Sequence, residues 1–271
     1  MMDTLAGKVA FITGAARGQG RSHAEMLAAE GADIVAVDIC AQIESIPYSL
    51  ATKDDLDETV GRIARLGQRA IGVVADVRDY ADLARAVSSG LTEFGRLDIV
   101  LANAGVAPMS VHDHEDAWDD VIAINLTGVQ NTLRATVPAL VAGNHGGSIV
   151  ITSSTMGVVG IGTDKPGALA YTASKHGVVG LMRAYANLLA PHGIRVNTVH
   201  PTGVGTQMVL NPAMQEYLES IGTKTGGGNA LPVNMIEPID VSNAIGWLVS
   251  DAARYVTGTT LMVDAGYLNK R

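Results

Sequence analysis

The chain has few of the features that mark several other classes of protein. One cysteine in 271 residues, Cys40, excludes an internal disulfide framework and suits a reducing compartment such as the cytoplasm. The 19 Lys and Arg against 27 Asp and Glu, with no basic cluster, argue against nucleic acid as a partner. No apolar run reaches the roughly 18 residues of a membrane helix, and no signal-peptide pattern is present. A cytoplasmic protein that does not enter a membrane is expected.

What is present is an alternation of strand-like and helix-like segments along the whole chain. An apolar content of 47% is enough to cover a parallel sheet on both faces. The pattern predicts strands near 8–13, 33–38, 70–75, 98–102, 148–152, 194–199 and 259–263. It predicts helices near 18–30, 54–66, 80–94, 116–142, 168–190 and 239–250. With no internal repeat or linker, we expect one α/β domain over 1–271, with a doubly wound parallel seven-stranded sheet and helices on both faces.

A glycine-rich turn lies between the first predicted strand and the first predicted helix. Gly14 permits the tight turn, Gly18 lets backbone approach a pyrophosphate, and Gly20 lets the helix pack closely on the strand. The helix N-terminus then offers unpaired amides to phosphates. Asp38 ends the second strand, where a carboxylate accepts hydrogen bonds from adenosine ribose hydroxyls and repels a 2′-phosphate. This order predicts a dinucleotide-binding Rossmann fold with NAD as cofactor.

Tyr171 and Lys175 lie four residues apart, and therefore on one face of a helix. A free tyrosine ionises near pH 10 and is a poor base at neutral pH. A lysine ammonium roughly 4 Å away favours the phenolate by about 4 kcal/mol at an effective dielectric of about 20. That amounts to about three pKa units, which brings the phenol near the pH where a general base works best. Ser154 is expected to hold the substrate oxygen.

Together these motifs resemble the short-chain dehydrogenase/reductase family over nearly the whole chain. The family's N-A-G element matches Asn103, Ala104 and Gly105, and its catalytic asparagine matches Asn125. The resemblance implies four catalytic residues: Asn125, Ser154, Tyr171 and Lys175. It implies a cofactor-binding set of Gly14, Arg17, Gly18, Gln19, Gly20, Asp38, Asp76, Val77, Asn103, Ala104, Gly105, Tyr171, Lys175, Pro201, Gly203, Val204 and Thr206. No metal is expected.

The resemblance also implies a reaction. Tyr171 removes the hydroxyl proton of a secondary alcohol while a hydride passes to the nicotinamide. Lys175 lowers the tyrosine pKa and bonds the nicotinamide ribose, and Asn125 holds a water that links Lys175 to solvent. The rival from another class is a non-catalytic NAD(H)-binding protein, which loss of Tyr171 or Lys175 would have favoured.

Arg17 is the one residue that complicates the choice of cofactor. It precedes Gly18, where NADP-preferring relatives often carry a basic residue. Asp38 argues for NAD, because a carboxylate that faces a phosphate is the costlier conflict. Arg17 is then either solvated or paired with a nearby acid.

Two segments exceed the family's minimal pattern. The insertion, residues 39–53, is much longer than the roughly 2–6 residues usual between a strand and a helix, and it is rich in apolar residues. It either folds over the adenine ribose and slows cofactor escape, or forms a surface flap packed on itself. The longer loop 157–168 either shapes the pocket mouth or is merely tolerated.

Both segments, together with the short sequence motifs that begin at Asp38 and Lys175, resemble the mycofactocin-associated, carveol-dehydrogenase-like subgroup. That resemblance implies an NAD that does not exchange readily and is reoxidised in place by an external redox carrier, mycofactocin-like. The family further implies a homotetramer. An ordinary exchanging NAD dehydrogenase of a steroid, sugar or acyl substrate remains the alternative within enzymes.

The lid, residues 207–232, is expected to close over the substrate, with a flexible end at Gly226–Gly228. The side chains available to line an apolar pocket there are Met208, Val209, Leu210, Met214, Tyr217 and Leu218. No arginine or lysine stands in its first half, so a small hydrophobic alcohol such as carveol or a cyclic alcohol fits best. The alternative is that these residues pack a subunit interface. The run His112–Asp116 is interpreted as a polar loop and acidic first turn, not a metal site.

Overall fold

The computed structural model describes residues 4–160, 162–222 and 228–270, and a seven-stranded parallel sheet runs through them. The strands are β1 Val9–Thr13, β2 Asp33–Asp38, β3 Ala70–Val74, β4 Ile99–Ala102, β5 Gly147–Thr152, β6 Ile194–Pro201 and β7 Thr260–Val263. Their order in the sheet is β3-β2-β1-β4-β5-β6-β7. The direction of winding reverses between β1 and β4, and ligands of such sheets bind outside the carboxyl ends of the strands at this point. The predicted fold class is confirmed.

Helices cover both faces of the sheet. They are α1 Gly18–Ala29, α2 Lys53–Arg65, α3 Tyr80–Phe94, α4 Ala117–Ile122, α5 Gly128–Gly143, α6 Pro166–Leu189, α7 Pro212–Ser220 and α8 Pro238–Val249. Helices α1, α2 and α8 pack together over one apolar core, and α3 to α6 over the other. Among the residues described, no helix is both long and apolar enough to cross a bilayer.

The single helix predicted over 116–142 is wrong in one respect. A π-helical turn, Ala123–Thr127, separates α4 from α5. Gly128, directly after this turn, packs so tightly that a Cβ there would lie 2.6 Å from Cγ2 of Val77. The wider turn places Asn125 in the fully buried interior, and π-turns of this kind occur often at functional sites.

The lid contains a helix, α7, that hydrophobic periodicity does not predict. Asn211 caps it, because its Oδ1 accepts a hydrogen bond from the amide of Met214 at 2.9 Å, and Pro212 occupies the first helical position. Gly226 and Gly227 of the expected flexible end lie outside the described residues.

Candidate active site

The glycine-rich turn after β1 is packed so closely that larger residues would collide. A Cβ on Gly14 would lie 2.9 Å from Cα of Ala104, and one on Gly20 would lie 2.0 Å from the carbonyl oxygen of Gly14. Gly18 has φ +55°, the left-handed region that glycine tolerates best. These constraints shape one wall of a cleft of about 690 Å³, here called the glycine-loop cleft, at the carboxyl ends of β1, β2 and β4.

Asp38 is fixed at the edge of this cleft. Its Oδ2 accepts a hydrogen bond from the amide of Ala16 at 3.0 Å, and its Oδ1 accepts one from the amide of Cys40 at 3.3 Å. Burial raises the pKa of the Asp38 carboxyl, and these two bonds oppose that rise. A carboxylate held in this way presents an acceptor at a constant position.

Most residues predicted to bind a dinucleotide line the glycine-loop cleft. They are Gly14, Arg17, Gly18, Gln19, Gly20, Asp38, Asp76, Val77, Asn103, Ala104, Gly105 and Thr206. Oε1 of Gln19 is buried there with no hydrogen-bond partner among the described residues. A buried acceptor in a glycine-walled cleft of this size fits a polar ligand that supplies the missing donor.

Five members of the predicted cofactor set do not line that cleft. Gly203 and Tyr171 line a second, smaller pocket. Pro201 is the last residue of β6, and Val204 is buried and forms a β-bridge with Ile236. Neither side chain lines either cavity. Lys175 is buried and lines neither cavity.

The insertion folds along the rim of the glycine-loop cleft. Its residues that line the cleft are Ile39, Ile43, Tyr48, Ser49, Leu50, Ala51 and Thr52. Gln42 organises it internally: its Nε2 donates to the carbonyls of Ile43 at 3.0 Å and Ile46 at 3.1 Å, and its Oε1 accepts from the amide of Leu50. The insertion is therefore both packed on itself and part of the cleft wall, so the two interpretations of it are not exclusive.

Arg17 joins the insertion to the lid across the cleft. Its guanidinium donates to the carbonyl of Ser49 and to the side-chain oxygen of Gln207. The structure thus gives Arg17 two neutral acceptors, not the acidic partner that was one of the two expectations.

Ser154 and Tyr171 face the second cavity, here called the apolar pocket, which has a volume of about 190 Å³. Ser154 lies at the start of the turn after β5, and its Oγ accepts from the amide of Met156 at 3.1 Å. The carbonyl of Ser154 lies 2.8 Å from Nδ1 of the buried His200, a contact that the sequence does not indicate. Ser153, by contrast, points away and donates to the carbonyl of Lys175.

The pKa shift of Tyr171 runs opposite to the one expected. Burial raises the pKa of the Tyr171 phenol, and its hydrogen bond with Ser154 offsets this rise only in part. Lys175 Nζ lies 5.6 Å from the centre of the tyrosine ring and donates to the carbonyl of Thr152 at 2.8 Å. Burial also lowers the pKa of Lys175 to about 8. The difference arises because removal of both groups from water disfavours both charges, an effect that the spacing of the two residues in the sequence does not contain.

Asn125 and Lys175 meet at Gly105. A Cβ on Gly105 would lie 3.2 Å from Oδ1 of Asn125 and 3.5 Å from Nζ of Lys175. The structure therefore brings Asn125, Lys175, Tyr171 and Ser154 together around the end of β4 and β5.

The apolar pocket is lined by methionines to an unusual degree. Its methionines are Met109, Met156, Met208, Met214 and Met235, five of the ten in the chain. None of its described lining residues carries a charge. Of the side chains expected from the lid, Leu210 lines the glycine-loop cleft instead, and the other five line the pocket. Because Met109, Met156, Met235 and Tyr267 come from separate segments, no local pattern in the sequence could have found them.

The loop 157–168 contributes to the pocket through Thr163 and Ala168. Its end is held by Asp113, whose Oδ2 accepts from the amide of Gly167 at 3.2 Å. Ile161 lies outside the described residues.

Comparison with known proteins agrees with this arrangement. Residues 14–268 match the family model described as enoyl-(acyl carrier protein) reductase. The chain is 57% identical over 269 residues to an uncharacterized oxidoreductase of Mycobacterium tuberculosis (strain CDC 1551 / Oshkosh), covering 98% of each protein. It is 48% identical over 280 residues to (-)-trans-carveol dehydrogenase of Rhodococcus erythropolis, covering 98% of this chain and 99% of that protein.

Among solved structures, a crystal structure of carveol dehydrogenase from Mycobacterium avium in complex with NAD is similar in fold. The TM-score is 0.92 at 47% identity, with 98% of this chain and 99% of that one covered. The chain belongs to the short-chain dehydrogenase/reductase family.

Proposed function

We propose that this protein interconverts a neutral, apolar secondary alcohol and its ketone, with a small cyclic or terpenoid alcohol such as carveol as the substrate class. The observation that carries this proposal is the position of Ser154 and Tyr171 on the wall of an uncharged, methionine-lined pocket. Methionine side chains adapt to irregular apolar shapes. The similarity to carveol dehydrogenases supports the same class of substrate.

NAD is the cofactor. The glycine-rich turn fits its phosphates, and the acceptors Asp38 and Oε1 of Gln19 fit its hydroxyl donors, those of the adenosine ribose among them. A close structural relative holds NAD. When bound, the nicotinamide supplies the hydride acceptor. Asp38 also disfavours the 2′-phosphate of NADP, because two negative charges would meet at a buried position.

The side chains divide the proton chemistry. Ser154 holds the substrate hydroxyl by a hydrogen bond, and Tyr171 takes its proton as the carbon loses a hydride. The Lys175 cation favours the ionised phenol, which burial alone disfavours. Asn125 keeps the loop after β4 in place beside Lys175.

The test compares neutral and charged alcohols with the purified protein. Carveol, cyclohexanol and trans-4-hydroxycyclohexanecarboxylate are incubated with added NAD and an artificial electron acceptor, and the ketones are quantified by mass spectrometry. We expect at least a tenfold lower kcat/KM for the carboxylate, because a charge without a partner is costly to bury. Equal turnover of the carboxylate would contradict the proposal. A protein that binds NAD and oxidises none of the three would favour the non-catalytic alternative.

We further propose that NAD is retained between turnovers. The contacts of Arg17 with Ser49 and Gln207 join the insertion to the lid over the cleft. A second contact ties the insertion down, since Ser45 Oγ donates to Asp120 at 2.6 Å. Retained NADH needs an acceptor that comes to it, and an external redox carrier of the mycofactocin type would serve.

Retention is tested by purification without added nucleotide, denaturation, and measurement of released NAD(H). We expect near-stoichiometric release from the wild type and from Arg85→Ala, which removes an exposed arginine on α3 paired with Asp82. Arg17→Ala should lose NAD(H) during purification and therefore release much less of it on denaturation. An empty wild-type protein that forms free NADH at each turnover would indicate an ordinary exchanging dehydrogenase.

A homotetramer in the cytoplasm is proposed as the working form. Large apolar side chains remain exposed on two long helices, Leu169 and Leu188 on α6, and Ile239 and Trp247 on α8. Contacts between subunits would remove these apolar side chains from water. Light scattering coupled to size exclusion should give four times the 28.1 kDa chain mass, and a monomer would contradict this proposal.

A further inference from the structure

Tyr48, a residue of the insertion, makes a hydrogen bond with a loop on the substrate side of the molecule. The residue is buried with 8% of its surface exposed, and its Oη accepts a hydrogen bond from the amide of Ala107 at 3.0 Å. Burial raises the pKa of the Tyr48 phenol, so the hydroxyl stays neutral. Ala107 belongs to the loop after β4, fifty-nine positions further along the chain.

Ala107 forms part of the wall of the apolar pocket, whereas Tyr48 lines the glycine-loop cleft. The carbonyl of Ala107 accepts from the amide of Met109 at 2.8 Å, and Met109 lines the pocket too. One hydroxyl therefore fixes a short turn that contributes two side chains to the substrate wall.

The neighbouring peptide is held from another direction. Val106 is bonded through both its amide and its carbonyl to the side chain of Asn125. Two consecutive residues of the loop are thus fixed by groups from different elements, one from the π-turn and one from the insertion. Removal of the Tyr48 hydroxyl would leave the Ala107 amide without its partner and the wall free to shift.

We propose that Tyr48 is a positioning residue through which the insertion sets the shape of the substrate pocket. The insertion then has two separable tasks: its rim covers the glycine-loop cleft through Arg17, and Tyr48 fixes the pocket wall at Ala107 and Met109. The selectivity part of this inference rests on the proposed function.

The first test does not depend on activity. In Tyr48→Phe the ring packing is kept and only the acceptor is lost, so we measure hydrogen–deuterium exchange of a peptide that spans residues 103–110. We expect at least about tenfold faster exchange there than in the wild type, with β5 unchanged. Tyr185→Phe is the matched control, since it removes an α6 hydroxyl bonded to Gln130. Unchanged exchange in 103–110 would overturn the inference.

The second test measures selectivity between a bulky and a compact alcohol. In Tyr48→Phe the ratio of kcat/KM for carveol to that for cyclohexanol should change at least threefold, mainly through KM, with NAD(H) content as in the wild type. A general loss of stability would lower kcat/KM for both alcohols by the same factor and leave their ratio unchanged. That result would also overturn the inference. If the wild type oxidises no alcohol, the proposed function fails, and the exchange experiment alone decides the role of Tyr48.

Discussion

The side chain of Asn125 holds the peptide of Val106 by two hydrogen bonds. Its Oδ1 accepts from the Val106 amide at 2.8 Å, and its Nδ2 donates to the Val106 carbonyl at 2.8 Å. Both residues are buried, so water cannot replace either bond. The loop after β4, which lies between the two cavities, therefore depends on the π-turn that carries Asn125.

Asn125→Leu should lose both stability and activity. The substitution keeps the size and leaves two buried backbone groups unpaired, each worth about 1–3 kcal/mol. We expect the free energy of unfolding in urea to fall by roughly 2–4 kcal/mol and alcohol oxidation to fall at least tenfold.

The matched control is Asn197→Leu. Asn197 is also buried, and its side chain also makes two hydrogen bonds with the backbone. Its Nδ2 donates to the carbonyl of Val256 at 2.9 Å, and its Oδ1 accepts from the amide of Thr259 at 3.1 Å. Asn197 lines neither cavity. It should lose comparable stability and keep its turnover at a temperature where it is folded. If both variants lost activity equally, the site role of Asn125 would be rejected.

Tyr171→Phe should retain the fold and NAD(H) and lose catalysis. Removal of one general acid–base group typically costs about 10²–10⁴ in rate. Single-turnover oxidation of carveol, followed by ketone formation, measures the loss. Tyr185→Phe, a change on the same helix at a hydroxyl bonded to Gln130, should stay within twofold of the wild type. Oxidation by Tyr171→Phe at more than a tenth of the wild-type rate would rule out the phenol as the base.

The strands, their parallel arrangement and the glycine-rich turn could be predicted from the sequence. Hydrophobic periodicity, apolar runs and turn residues determine such elements within a short stretch of chain. The π-turn at Ala123–Thr127 could not, since it is accompanied by the close packing of Gly128 against Val77, a residue far away in the chain. Helix α7 is short, and only the start signal of Asn211 and Pro212 marks it in the sequence.

For the site, the identity of the catalytic residues could be predicted from the sequence, but the direction of their pKa shifts could not. Spacing places Tyr171 and Lys175 on one helix face, whereas their shifted pKa values come from burial by the whole fold. The contact of Tyr48 with Ala107 joins residues far apart in the chain, and nothing local in either segment indicates it.

The charge on Lys175 should make its contribution to catalysis depend on pH. Burial lowers the pKa of Lys175 to about 8, so the cation is present at pH 7 and only about a tenth of it remains at pH 9. The ratio of kcat/KM between wild type and Lys175→Met should therefore be about 10²–10³ at pH 7 and decline above pH 8. Lys175→Arg keeps a cation throughout, so its ratio to Lys175→Met should not decline in this way. A wild-type advantage that stays constant up to pH 10 would show that the charge of Lys175 does not act on Tyr171.

His23 should make the fold sensitive to mild acid. It is fully buried between α1 and α8, and its Nδ1 lies 2.8 Å from Oγ of Ser242. The same hydroxyl lies 3.0 Å from the carbonyl of Pro238, and Nε2 of His23 has no partner among the described residues. Burial lowers the pKa of His23 from 6.5 to about 3.

The sign of the effect follows from these two values. Below pH 6.5 the unfolded chain binds a proton at His23 that the folded chain does not take up until about pH 3. The stability from neutral, buried His23 is therefore complete above pH 6.5 and is lost as the pH falls, by up to about 1.4 kcal/mol per unit. Urea unfolding at pH 7, 6, 5 and 4.5 should show a steeper decline for the wild type than for His23→Asn. The difference between the two should change by about 2–3 kcal/mol over that range. The comparison uses slopes, because the smaller asparagine side chain also leaves a cavity that lowers stability equally at every pH. Parallel slopes would mean that the folded protein accommodates a protonated His23.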